Sequence, residues 1–251
     1  MAMPTARAHP VVLLPGILMP AALCYERLVA ALGVDVRAIV RDLEIYRGPS
    51  VPPPGYRFET EVEGIARAAD ESGFDRFHLH GHSAGGACAL AFVAEHPERV
   101  LTLALDEPAT DFSPEDLEET RAVYLPLLEL SDDELMPAFT RTLLPEGVEP
   151  PPPSDELPHW MADRLPGVAA FVRAMCEADV VFESFGRFDR PVSYSYGSLS
   201  NETWERKAMR LAAVFPSITL ECYEGLSHLN TSHIAEPERV AVALRILWAS
   251  S

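Results

Sequence analysis

Five residues constrain this chain more than any others: Gly81-His82-Ser83-Ala84-Gly85, a G-x-S-x-G pentapeptide between the apolar run Phe77–His80 and the small-residue run Ala87–Phe92. A strand that ends in such a turn and passes straight into a helix holds its serine in strained backbone angles. Glycines on either side let strand and helix approach closely enough to expose the hydroxyl. The helix start behind the serine also favours developing negative charge. Alone, the pentapeptide is compatible with a turn that does no chemistry; its strand, turn and helix setting points to a nucleophile at Ser83. His82 reads as packing beside the turn or lining a pocket, and His78 and His80 as residues of the sheet.

Around this turn, short apolar or β-branched runs alternate with longer segments of helical period, the pattern of a doubly wound parallel sheet. Strands are predicted at Val11–Leu14, Val34–Val40, Arg76–His80, Val100–Leu105, Val192–Tyr196 and Thr219–Tyr223. Val62, Ile65, Ala66 and Ala69 form one apolar stripe on a helix near Phe58–Ser72, and Val240, Leu244, Leu247 and Trp248 form another on the last helix. The stretch from Ala109 to Asp189 is far longer than an ordinary connection and reads as a helical insertion. Helix starts are predicted at Ser113-Pro114 and at the capping box Ser131/Glu134. Pro150–Pro153 reads as a stiff spacer within it, and Pro52–Pro54 as a stiff loop near the sheet edge. This divides the chain into a core of residues 1–108 and 190–251 and a helical cap of residues 109–189.

The turn in its setting, the strand Val11–Leu14 ending in Pro15-Gly16-Ile17, and Gly225-Leu226-Ser227-His228 before the final helix together resemble the α/β-hydrolase superfamily, in its serine esterase and lipase-like branch. The resemblance spans nearly the whole chain, but away from these segments it rests on pattern. It implies an α/β fold with a mostly parallel, doubly wound sheet. It also implies a catalytic order of serine, acid, histidine, with backbone N–H groups of Ile17 and Ala84 as the oxyanion donors. Many members carry His-Gly where this chain has Pro15-Gly16; the glycine is matched and the histidine is not.

A serine hydroxyl needs an imidazole to take its proton, and eight histidines are present. His228 stands where the resemblance puts the base, and His233, nearer Glu236-Pro237-Glu238, is its rival in the same loop. His96 ends a helix, and His9 and His159 have no supporting pattern. The commonest pattern places an aspartate after the strand at Val192–Tyr196, but that loop reads Gly197-Ser198-Leu199-Ser200-Asn201-Glu202. Glu202 reads as a first-turn helix acid. Some relatives take the acid from the preceding strand end, here Leu105-Asp106-Glu107-Pro108, which makes Glu107 the choice. Asp106 points to the other side and reads as a turn cap; Asp106 and Glu202 remain alternatives.

The implied reaction is two-step acyl transfer from an ester, thioester or lactone to water, with no cofactor and no metal. The same site could serve a perhydrolase, an acyltransferase or a C–C hydrolase, and a non-hydrolytic ligand-binding protein is the competing class. A serine at the turn argues against the aspartyl-ester chemistry of dehalogenases and epoxide hydrolases. Asp+Glu number 38 against 20 Lys+Arg, a net charge of -18, which disfavours nucleic acid and anionic membranes as partners and suits a neutral small-molecule substrate. Trp160, Phe139, Phe171 and Met175 in the insertion fit an apolar group or simply the insertion's own core. The four cysteines, Cys24, Cys88, Cys176 and Cys222, have no metal-ligand spacing and read as buried free thiols. The apolar run from Val11 is broken by Pro15-Gly16 and Pro20, poor signal-peptide material, so a cytoplasmic location is expected. Oligomeric state is not legible.

Overall fold

A computed structural model describes residues 8–149, 158, 160–161 and 164–251; the Pro150–Pro153 spacer and His159 lie outside the described residues. Six strands form one sheet: β1 (His9–Leu14), β2 (Val36–Val40), β3 (Phe77–His82), β4 (Val100–Asp106), β5 (Val192–Gly197) and β6 (Ile218–Tyr223). The order is β2-β1-β3-β4-β5-β6 and every pairing is parallel. The chain goes first to one side of β1 and then to the other, so the loops after β1 and β3 leave adjacent strand ends at the point where winding reverses. That crevice is where open parallel sheets hold ligands.

Alternate residues of β1 serve opposite layers. Val11 and Leu13 pack with α1 (Ala21–Leu32) and the final helix on one face, while Val12 and Leu14 join the larger core under α2 (Phe58–Glu71) and α3 (Ala84–Glu95). Helix α3 is buried from Ala84 to Val93, which explains why its sequence is apolar all round rather than striped. The strand expected from Val34 begins instead at Val36, because Gly33 at φ 73° ends α1 and the exposed Val34 lies in the turn. The strand expected at Arg76–His80 runs from Phe77 to His82, carrying its backbone up to the serine.

Between β4 and β5 the chain adds α4 (Pro114–Leu127), α5 (Asp132–Thr142) and α6 (Leu165–Glu177). The expected starts hold: the Asp116 N–H donates to Ser113 Oγ at 3.2 Å, and both the Ser131 N–H and its hydroxyl donate to Glu134. Helix α6 is tied to the sheet. Arg164, at its start, pairs with Asp42 at 2.9 Å, and its guanidinium lies 4.1 Å over the Tyr46 ring. The other Asp42 oxygen accepts the Ala21 N–H at 2.8 Å, so one carboxylate joins the insertion to the start of α1. After β5 come α7 (Thr203–Val214), β6, the single turn α8 (Ser232–Ala235) and α9 (Pro237–Ala249). Cys24, Cys88 and Cys176 are buried free thiols as expected; Cys222 is exposed, because β6 is an edge strand with few covering side chains. No described helix is long and apolar enough to cross a membrane.

Candidate active site

Ser83 sits between β3 and α3 with φ 51° and ψ -117°, a region that non-glycine residues occupy only when the surroundings enforce it. The enforcement is visible. The Ser83 N–H donates to the Asp106 carbonyl at 3.0 Å, and the Ser83 carbonyl accepts from Ala87 and Ala109. A Cβ on Gly81 would lie 2.3 Å from the Gly85 carbonyl oxygen, and one on Gly85 would lie 2.4 Å from that of Leu14. Only glycine permits strand, helix and the β1 loop to meet so closely.

The Ser83 hydroxyl donates to His228 Nε2 at 3.1 Å, and His228 Nδ1–H donates to Glu107 Oε2 at 2.7 Å. Three residues from three sequence regions thus form one hydrogen-bonded chain. Glu107, at φ 46°, is held in place from the loop where an aspartate was missing: its Oε1 accepts from the Gly197 N–H at 2.8 Å and from the Ser200 hydroxyl. A Cβ at Gly197 would lie 2.2 Å from the Leu226 carbonyl oxygen, so glycine there lets the His228 loop close against the end of β5. Glu202 stands just before α7 at the surface and pairs with Arg206 at 2.6 Å; it does not reach His228.

The two runners-up in the sequence, Asp106 and His233, pair with each other. His233 Nδ1–H donates to Asp106 Oδ2 at 2.9 Å, and His233 Nε2 lies 3.1 Å from Cys24 Sγ. Asp106 also accepts from Ser232 and Ser195, so it anchors α8 rather than capping a turn. Alternation does point Asp106 and Glu107 opposite ways, yet each meets a histidine, because the loop before α9 wraps round the strand end. Burial alone would lower the His233 imidazole, but the bonds to Asp106 and Cys24 and the Asp106 charge outweigh it and push it up to about 9. Burial would raise Asp106, but His233 and its neighbouring histidines hold it well below the usual carboxylate range.

His82 packs between the two pairs, its ring 5.1 Å from His228 and 4.9 Å from His233. Burial keeps it neutral, with the neighbouring imidazoles acting the same way. His78 bonds Thr102, and His80 lies against the Tyr25 hydroxyl within the sheet, as expected. His96 ends α3. Trp204, which sequence reasoning missed, lies flat on His228 with ring centroids 4.2 Å apart and 15° between planes. Its place at the second position of the helix after β5 was the only signal available.

Ile17 and Ala84 line a cavity of about 30 Å³ with Ser83, His228, Trp204 and apolar side chains of α4, α5 and α6, among them Tyr124, Phe139, Phe171 and Met175. Among the described residues, no protein acceptor takes the Ile17 or Ala84 N–H. Among the described residues, no Asp, Glu, Lys or Arg side chain lines this cavity. A larger groove of about 400 Å³ along β5, β6 and α9 includes neither Ser83 nor His228. Trp160 is half-buried and does not reach the cavity. No group of three or more metal-ligating side chains occurs among the described residues.

A family model of the alpha/beta hydrolase fold matches residues 9–133. The chain belongs to the α/β-hydrolase superfamily. Among solved structures, it is similar to an esterase from Rhodococcus sp. ECU1013 at 20% identity, covering 98% of this chain and 92% of that one, with a TM-score of 0.72. It is similar to a thermophilic esterase from Thermogutta terrifontis at 21% identity, covering 96% and 90%, with a TM-score of 0.70. A carboxylesterase from Bacillus subtilis aligns at 19% identity over 97% and 85%, with a TM-score of 0.66. No protein of curated function matches the sequence.

Proposed function

We propose that this chain is a serine hydrolase that cleaves a small, uncharged carboxylic ester, thioester or lactone through an acyl-enzyme on Ser83. The observation that carries the reading is the continuous chain Ser83–His228–Glu107, at 3.1 and 2.7 Å. His228 takes the hydroxyl proton as Ser83 Oγ bonds to the carbonyl carbon, and Glu107 holds the imidazole tautomer and stabilises the imidazolium without taking the proton. The carbonyl oxygen, now an anion, accepts the N–H groups of Ile17 and Ala84. Imidazolium then returns the proton to the leaving alcohol, thiol or hydroxyl. Water, deprotonated by the same imidazole, attacks the acyl carbon and releases the acid and free serine. No step calls for a cofactor.

Helices α4 to α6 act as a cap that shapes the acyl site. A cavity of about 30 Å³ is room for little more than a water molecule, so a long acyl chain fits only if the cap moves. A charged acyl group would meet no Asp, Glu, Lys or Arg partner among the described residues that line the cavity. The loop after β5 offers no aspartate, but Glu107 bonds His228 at 2.7 Å, which favours the hydrolase over a non-hydrolytic binder. With p-nitrophenyl acetate, a burst of about one nitrophenolate per chain is expected before the steady rate. kcat/KM should then fall by at least about tenfold from the butyrate to the decanoate, as overpacking a tight site costs more than a kcal/mol. A folded chain that turns over none of these three esters would contradict the proposal.

A further inference from the structure

We propose that Trp204 is a positioning residue for His228, and that its indole face stabilises the imidazolium that forms when the histidine takes the serine proton. The inference rests on the proposed role of His228 as base and adds a group to it. Trp204 is 3% exposed and parallel to the imidazole at 4.2 Å, a spacing at which an aromatic face attracts a cation strongly once water is excluded. Trp204 is held through both its ring and its backbone. Its Nε1–H donates to the Glu107 carbonyl at 3.2 Å, and its backbone carbonyl accepts from the buried Tyr194 hydroxyl at 2.9 Å. One residue thus braces the acid's backbone and covers the base's ring.

From the end of β4, Glu107 faces Nδ1; from the end of β3, neutral His82 lies beside the ring; and behind His82 the His233 charge is compensated by Asp106. From α7, Lys207 Nζ lies 5.7 Å from the centroid of the Trp204 ring, but it pairs with Asp116 at 3.6 Å and donates to the Ala109 carbonyl. Glu107 and the indole thus lie directly against the imidazole, one at Nδ1 and one on its face.

In a protein whose other tryptophans, Trp160 and Trp248, are replaced by phenylalanine, Trp204 emission should fall as His228 gains a proton, because imidazolium quenches indole far better than neutral imidazole. The change should vanish in His228→Asn. Should that background not fold, the wild-type chain and the single variants Trp204→Leu and Trp204→Phe answer through the pH profile of kcat/KM. Without the indole face imidazolium forms less readily, so in Trp204→Leu the acid limb should move about one unit to lower pH while the plateau falls about tenfold, with Trp204→Phe between. A Trp204→Leu plateau loss with an unmoved acid limb would reduce Trp204 to packing and overturn the inference, as would emission that ignores His228→Asn. The fluorescence arm needs no turnover: emission that titrates in a chain without esterase activity would sink the proposed function and leave the stacking role standing.

Discussion

Glutamine in place of Glu107 is expected to lower kcat by about 10⁴-fold with little change in KM, the scale of loss when a histidine is left in the wrong tautomer. The carboxylate accepts three hydrogen bonds, from His228 Nδ1, the Gly197 N–H and the Ser200 hydroxyl. An amide of the same size can turn its NH₂ toward Nδ1, which then becomes the acceptor and leaves Nε2 protonated, unable to accept from Ser83. Glu202→Gln should stay within about twofold of wild type, because that side chain points to solvent and pairs only with Arg206. Steady-state kinetics on the three proteins check the assignment. Near-normal activity in Glu107→Gln would mean that the acid lies elsewhere.

Asp106→Asn should behave differently, with its main effect on stability. Removing the charge leaves His233 buried with no anion, and breaking one side of a buried ion pair costs about 3–5 kcal/mol. In a chain of this size that corresponds to a melting temperature lower by roughly 6–20 °C. The pH dependence carries the sign. His233 at about 9 in the fold, against about 6.5 in the unfolded chain, holds a proton that the unfolded chain gives up. Its contribution is whole below about pH 6.5 and is lost as the pH rises through 9. Asp106 contributes above about pH 3.9 and loses its contribution as the pH falls. Burial lowers His78 and His80 to about 3 and 4 and lowers His82 as well. Below about pH 6.5 these three also favour unfolding, because only the unfolded chain takes up their protons. Wild-type stability should therefore peak near neutrality and decline toward pH 9, and Asp106→Asn should flatten the alkaline decline. Urea unfolding at pH 6.5, 8 and 9.5 measures both; an equal alkaline slope in the two proteins would contradict the ion pair.

What could be read in the sequence was local. A strand, a glycine-flanked serine and a small-residue helix are consecutive, so the turn at Ser83 and its neighbours in the sheet follow from adjacent residues, as does the Gly16 turn. The start of β2 moved by two residues because Gly33, at positive φ, outweighed an apolar pattern. The non-local pairings were harder. Nothing in Leu105-Asp106-Glu107-Pro108 says that both carboxylates will each find a histidine, since that depends on how the loop from Gly225 to Ser232 wraps round the end of β4. Gly197 and Ser200 looked like a vacated acid site, and in the fold they hold the Glu107 carboxylate that lies beside them. Trp204 could not be distinguished from an ordinary amphipathic helix position until its ring was seen against His228.

The proposed chemistry requires Ser83 to be a nucleophile activated in the folded chain. Intact mass after exposure to a fluorophosphonate tests it most directly. One phosphonyl adduct per wild-type chain and none on folded Ser83→Ala is the predicted result; an adduct that persists on Ser83→Ala, or a folded wild-type chain that takes none, would contradict it.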